Sequence, residues 1–183
     1  MRAFAPPELI AADHEVEGFD CGSEAQTTWL RRYALQASNS DTAKVYVVCR
    51  PGSRMVAGYY ALSAGAILHE DAPERLTKGI GRHSIPVVIL TRLGVDRSEQ
   101  GAGLGSALVA DALLQVASIA GRIGVRALLI HAETPEAAAF YRRLTPAIQD
   151  SPTDPLHLVL LMKDLRASLR EGAKVQPHRG RSE

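Results

Sequence analysis

Gly101, Gly103 and Gly105 alternate with other residues between an apolar run, Val88-Ile-Leu-Thr-Arg-Leu-Gly-Val95, and a second apolar segment that begins at Leu104. Glycines at this spacing keep Cβ atoms out of a tight turn. They let several backbone N–H groups converge on one point, at the positive end of the helix that follows. Such a turn binds anions, and phosphate suits it. The spacing then discriminates between phosphate ligands. A P-loop requires Gly-x4-Gly-Lys-Ser/Thr, and no Lys follows these glycines. A dinucleotide fingerprint is nearly met by Gly101-Ala-Gly-Leu-Gly105-Ser106, with Glu133 as the ribose-binding acid. However, Ser106 stands where the third small residue belongs, and Glu133 falls later than the usual interval of about 20 residues.

A third pattern, Gln/Arg-x-x-Gly-x-Gly/Ala, is met by Gln100, Gly103 and Gly105. Through it the chain resembles the GNAT superfamily of N-acetyltransferases. The order of the following segments supports this: Val125 to Glu133 reads as a strand, and Thr134 to Leu144, with its Phe140-Tyr141 pair, as a short helix. The resemblance implies acetyl-coenzyme A as cofactor, its pyrophosphate held by the loop Gln100, Gly101, Ala102, Gly103, Leu104, Gly105 and Ser106. It also implies a splayed sheet in which backbone groups of Leu93 and Val95 grip the pantetheine arm, the Val95 N–H serving as oxyanion donor. Tyr141 is then the general acid. A phenol with a pKa near ~10 stays protonated at neutral pH and can protonate a departing thiolate. Packed beside Phe140 in an unknown fold, the same tyrosine would be core. For a base, His131 and Glu133 lie at the end of the strand. None is required, because an α-amine with a pKa near ~8 is partly neutral already.

Within the superfamily, residues from about 19 to 165 are similar to the GNAT toxins of bacterial toxin–antitoxin pairs. The resemblance runs through Phe19-Asp-Cys-Gly, the Trp29-Leu-Arg segment, Val56-Ala-Gly-Tyr-Tyr-Ala-Leu-Ser63, Ile85 to Asp96, and Phe140-Tyr141. It implies acetylation of the α-amine of aminoacyl-tRNA, arrest of translation and a ribbon-helix-helix antitoxin as partner; a homodimer is compatible with it. A cytoplasmic location is expected because the start, broken by Pro6 and Pro7, is no signal h-region and no apolar run could span a bilayer. One departure stands out: Leu144-Thr145-Pro146 replaces the Gly-Phe pair that commonly follows the tyrosine. A tRNA backbone needs cations, and Arg92, Arg31, Arg32, Lys78 and Arg82 are the candidates. Two other functions fit the same residues. One is a GNAT enzyme acting on a small or protein amine, which an enclosed acidic pocket would favour over an open basic surface. The other is a non-catalytic nucleotide-binding module.

The elements that must position these residues give an α+β pattern with a central mixed sheet flanked by helices. Ser23-Glu-Ala-Gln26 forms a capping box that opens a helix carrying Trp29, Leu30, Tyr33, Ala34 and Ala37 on one face. Residues 45–49 and 56–62 read as an antiparallel hairpin through Pro51-Gly52, and residues 67–84 as a polar excursion with a helical stretch between Pro73 and Gly79. After the strand ending at Val95, Leu104, Leu108, Ala112, Val116 and Ile119 set one apolar face of a helix from about 103 to 120. Strands near 125–131 and 156–162 flank the tyrosine helix. Residues 1–169 are expected to form one acetyltransferase domain, and 170–183 a flexible polar tail.

Composition agrees. With 183 residues, 46% hydrophobic, the chain can bury a core, and a net charge of +1 excludes a generally basic coat, so any nucleic-acid site must be local. No apolar run approaches a bilayer span. Cys21 and Cys49 form no C-x-x-C and are expected to be reduced; the six histidines lack metal-ligand spacing, so no metal is expected.

Overall fold

The computed structural model describes residues 4–175. Its elements are β1 (Glu8–Leu9), α1 (Glu24–Arg32), α2 (Ala34–Asn39), β2 (Lys44–Cys49), β3 (Val56–Ile67), α3 (Glu74–Thr77), β4 (Ile85–Val95), α4 (Leu104–Ile119), β5 (Ala127–His131), α5 (Pro135–Leu144), β6 (Gln149–Asp150), β7 (His157–Leu161) and α6 (Met162–Val175). The strands join in one seven-stranded sheet in the order β1-β2-β3-β4-β5-β7-β6. Every pairing is antiparallel except β4 with β5. That one parallel pair is what a crossover helix permits, and α4 is the crossover. The expected mixed α+β sheet is therefore the architecture found.

The sheet is covered on both faces. On one, the stripe Leu104, Leu108, Ala112 and Val116 of α4 packs on Val88, Leu90, Leu128 and Ile130, joined by Ala138 and Tyr141 of α5. Burial of each large aliphatic side chain here contributes about 1.5–3 kcal/mol. On the other, Leu30 and Ala34 close over Val45, Val47, Tyr59 and Ala61. Leu76 of α3 covers Ile85, Val87, Ala127 and Leu129 further along the sheet.

Three elements differ from expectation. The first helix is two, broken at Tyr33 (φ −122°), whose N–H still bonds to Trp29 O at 2.9 Å. The buried positions are Gln26, Thr27, Leu30, Ala34 and Ser38, so Tyr33 lies off the stripe and is 51% exposed. Strand β3 runs to Ile67, through the start of the expected excursion, because β4 pairs with it over its whole length. Past β7 the chain turns directly into α6, whose Met162 and Leu165 are buried and Leu169 partly so. The stretch expected as a tail from residue 170 thus begins inside a helix, and residues 176–183 lie outside the described residues.

Candidate functional site

The site begins where the sheet divides. Pairing of β4 with β5 ends at Leu90↔Ile130, while β4 stays paired with β3 as far as Val95↔Gly58. A bulge leaves Thr91 as an extra residue between Leu90, opposite Leu62, and Arg92, opposite Ala61. Beyond it, Asp96 N–H donates to Ala57 O at 2.8 Å. Bonded pairs alternate along an antiparallel ladder, so Gly94 and Arg92 turn their backbone groups toward β3. Leu93 and Val95 turn theirs toward the side that β5 has left. Val95 O is taken by Gln100 Nε2 at 2.9 Å. The Val95 N–H and both Leu93 groups have no partner among the described residues. The strand is held rigidly from behind: a Cβ on Gly94 would lie 2.8 Å from Tyr59 Cε1 and 3.3 Å from Phe19 Cζ.

The glycine loop is anchored at both ends. The buried Asp96 carboxylate accepts from Ser98 N–H (3.0 Å), from Ser98 Oγ (2.6 Å) and from Asp20 N–H (3.0 Å), and pairs with Arg50 (3.0 Å). Burial opposes its charge, but these donors and the Arg50 guanidinium outweigh it and hold the pKa below the ordinary aspartate value. Arg50 also pairs with Glu99 at 3.1 Å. The Gln100 amide donates to Cys21 O (3.0 Å) as well as to Val95 O, stapling the loop to the strand end and to the Phe19–Gly22 segment. Gly101 and Gly103 then take φ of +78° and +87°, which only glycine adopts without strain. Gly103 is the N-cap of α4, so the first N–H groups of a 16-residue helix open toward the loop.

Between β4, this loop and α5 lies a cleft of about 710 Å³. Of the residues expected to hold the cofactor, Leu93, Val95, Gln100, Gly101, Gly103, Gly105 and Ser106 line it. Ala102 and Leu104 instead face an apolar hollow beside Phe4 and Val48, and Leu104 is buried in the core. From α5 the cleft receives Ala137 and Phe140, with Glu133, Thr134 and Glu136 at its rim. Thr134 caps α5, accepting from Ala137 N–H at 3.2 Å.

Tyr141 sits behind Phe140. The two rings meet edge to face with centroids 5.3 Å apart, and the Tyr141 ring is packed in the α4 core at 6% exposure. Its hydroxyl makes no hydrogen bond among the described residues, and burial raises its pKa well above the ordinary phenol value. The unusual Leu144-Thr145-Pro146 end is accommodated without a left-handed cap. Thr145 N–H bonds to Tyr141 O at 3.0 Å, and Thr145 is extended (φ −138°), as a residue before proline prefers.

The two base candidates part company. His131 stacks on His157 across β5 and β7 with ring centroids 4.2 Å apart. Partial burial, then the charge of His157, lowers its pKa. Glu133 borders the cleft, and Ser23 Oγ donates to its carboxylate at 2.7 Å, joining α1 to the β5–α5 connection. Sequence reasoning missed this wall, formed by Cys21, Ser23 and Gln26. The capping box was its signal, and only half of it forms. Ser23 Oγ accepts from Gln26 N–H (3.2 Å), while the Gln26 side chain accepts from Tyr59 Oη (3.1 Å) instead of reaching back.

The expected substrate-gripping cations fall into separate places, three at the end of α1 and two in or near the connection to β4. Arg92 lies 5.5 Å over the Trp29 ring and Arg31 donates to Phe19 O at 2.6 Å, both near the last turn of α1, where Arg32 is exposed. Arg82 is exposed in the connection to β4, and Lys78 borders a separate groove. Both cysteines are free. Cys49 lies near Glu8 and His14, their ligand atoms within 4.8 Å of one another. There Glu8 pairs with Arg54 (2.7 Å) and His14 (3.1 Å), tying β1 to the hairpin turn.

No protein-family model matches the chain. Over 167 residues it is 43% identical to the tRNA-acetylating toxin of Mycobacterium tuberculosis, covering 91% of this chain and 98% of that protein. Among solved structures, AtaT complexed with acetyl-methionyl-tRNAfMet superposes with a TM-score of 0.80 at 29% identity, covering 89% of this chain and 98% of that one. A tyrosine-to-phenylalanine mutant of the toxin AtaT, bound to the C-terminus of the antitoxin AtaR and acetyl-CoA, gives a TM-score of 0.76 at 28% identity, with 89% and 96% covered.

Proposed function

This chain belongs to the tRNA-acetylating toxins of the GNAT superfamily, and from that premise we propose that it transfers the acetyl group of acetyl-coenzyme A to the α-amine of aminoacyl-tRNA and so blocks translation. The observation that carries the reading is the splay at Leu90↔Ile130 meeting a positive-φ glycine loop at the head of α4. It offers unpaired backbone donors at the two places where a thioester with a pyrophosphate tail needs them. When bound, acetyl-coenzyme A supplies an activated acyl group. Backbone N–H groups from Gln100 to Ser106 hold its pyrophosphate, with Ala102 and Leu104 acting through the main chain alone. Leu93 orients the pantetheine amides, and the Val95 N–H donates to the carbonyl oxygen as negative charge develops there.

Tyr141 is the general acid. Burial keeps its phenol protonated at physiological pH, and the proton goes to the departing sulfur. The neutral fraction of the amine attacks, and Glu133 at the cleft, or water, takes the proton it gives up. The described residues 4–175 work as one acetyltransferase domain, running past the expected boundary at 169 to the end of α6, in the cytoplasm, where charged tRNA is found. Among the described residues no helix is long and apolar enough to cross a membrane. The partner that silences the enzyme is a ribbon-helix-helix antitoxin. The carboxylates Glu133 and Glu136 at the cleft would also suit a free amine. One experiment separates the two readings: incubation with labelled acetyl-coenzyme A and either aminoacyl-tRNA or small amines, followed by mass analysis of the released aminoacyl nucleoside. Acetylation of charged tRNA is expected; turnover of small amines alone would overturn the proposal.

A further inference from the structure

Arg75 and Lys78 of the α3 segment, Arg126 at the start of β5, and Lys163 and Arg166 on the first turns of α6 line one groove of about 310 Å³, with no carboxylate among its lining residues. Three of the five cations are committed in part to the fold. Arg75 pairs with Asp164 (3.0 Å), Arg126 donates to Leu76 O (3.5 Å) and Arg166 to Ala120 O (3.0 Å). The side chains of Lys78 and Lys163 are exposed and have no hydrogen-bond or ion-pair partner among the described residues. A protein of net charge +1 has gathered five cations in one groove whose lining holds no carboxylate, with Glu74 and Asp164 beside it. Like charges gathered in one groove repel, and an anionic occupant would relieve that repulsion.

The groove is not the cofactor cleft. Cleft residues lie at the C-terminal ends of the parallel strands β4 and β5, whereas the groove is walled by Val125 and Arg126 at the start of β5 and Leu161 at the end of antiparallel β7. The five residues of β5 separate them, roughly 17 Å at about 3.3 Å per residue. A small amine seated in the cleft cannot reach that far, but the phosphate backbone of an RNA whose 3′ end enters the cleft can. We propose that this groove grips the body of the acceptor tRNA through its phosphates, which rests on the tRNA-acetylating function proposed above.

The test compares the wild type with the Lys78→Ala/Lys163→Ala double variant on two substrates: full-length aminoacyl-tRNA, and an aminoacylated CCA trinucleotide that has no body to grip. Phosphate contacts release counterions, so log kcat/KM for the full-length substrate should fall steeply with log salt. The double variant should flatten that slope by about 1 for each lysine removed. Kinetics on the trinucleotide should not change. Equilibrium binding of uncharged tRNA, measured in the same salt series, should flatten equally, and it reads the groove even if no acetyl transfer occurs. An unaltered slope in binding and turnover overturns the assignment. So does an equal loss on both substrates, which would place the lysines in catalysis or folding. Failure of the wild type to acetylate either substrate, with the binding slope still sensitive to the lysines, would count against the enzymatic reading and leave the groove standing.

Discussion

At the scale of single residues, Tyr141 poses the sharpest question, because a ring buried behind Phe140 is asked to act on a cleft that Phe140 lines. Tyr141→Phe removes one O–H and leaves the packing, so kcat should fall by about 100- to 10,000-fold, the span typical of general acid catalysis. Affinity for acetyl-coenzyme A, read by calorimetry, should not move. The pH dependence follows from the direction of the shift. The active form is the protonated phenol and burial raises its pKa, so the acid stays loaded as pH rises. Activity should climb through the range where an α-amine deprotonates, near ~8, and show no falling limb at the ordinary tyrosine value near ~10. Gly103→Val should abolish acetyl-coenzyme A binding in a folded protein. At φ +87° a β-branched residue is strained, and its side chain enters the space the pyrophosphate needs. These positions were legible in the sequence for unequal reasons. The glycines announce themselves by spacing. Leu93 and Val95 act through backbone and are visible only through family resemblance, and the Ser23–Glu133 contact has no local signal, since 110 residues separate its ends.

At the scale of elements, α4 is legible from its periodic buried stripe, β4 and β5 from continuous apolar runs, as β5 is buried at four successive residues, and α5 from its place in the family's order of segments. Periodicity misplaced Tyr33 because the eye follows apolarity, whereas the break between α1 and α2 keeps small and polar residues, Thr27 and Ser38, on the buried stripe. Helix α6 was missed although Met162, Leu165 and Leu169 carry helical spacing; the polar residues around them resemble a terminus. The hub of the loop is Asp96, and Asp96→Asn should destabilise the fold by about 1.5–3 kcal/mol, the range for hydrogen bonds to a charged group. The sign with pH is fixed by its lowered pKa. Its contribution is complete above the unfolded carboxylate value near ~3.9 and is lost as pH falls through the lower folded value. The gap in denaturant midpoint between wild type and variant should therefore be widest near neutrality and close in acid.

At the scale of the whole molecule, expression of the chain alone should arrest growth, and Tyr141→Phe or co-expression of its antitoxin should relieve the arrest. A harmless wild type with demonstrable acetyl-coenzyme A turnover would instead favour a small amine as acceptor. Net charge requires that any phosphate-gripping surface be local. Which cations share a surface depends on strand order, and Lys78 meets Arg126 and Lys163 only because β5 and β7 are neighbours. Strand order also bears on the sequence of folding events. The α1 wall of the cleft is joined to the β5–α5 connection by one exposed hydrogen bond, Ser23 to Glu133, between two of the most separated segments in contact. Contacts of such sequence separation close late, and one worth about 1 kcal/mol opens readily. The Gln26 and Thr27 amides, which donate to Ser23, should accordingly exchange with deuterium before the interior amides of α4, and faster still in Glu133→Ala, in an opening that leaves the central sheet intact. Release of that one contact would free the Ser23 and Glu133 side chains on the acceptor side of the cleft while Tyr59 still holds Gln26 and the glycine loop stays shut, giving a bulky acceptor room that does not disturb the cofactor.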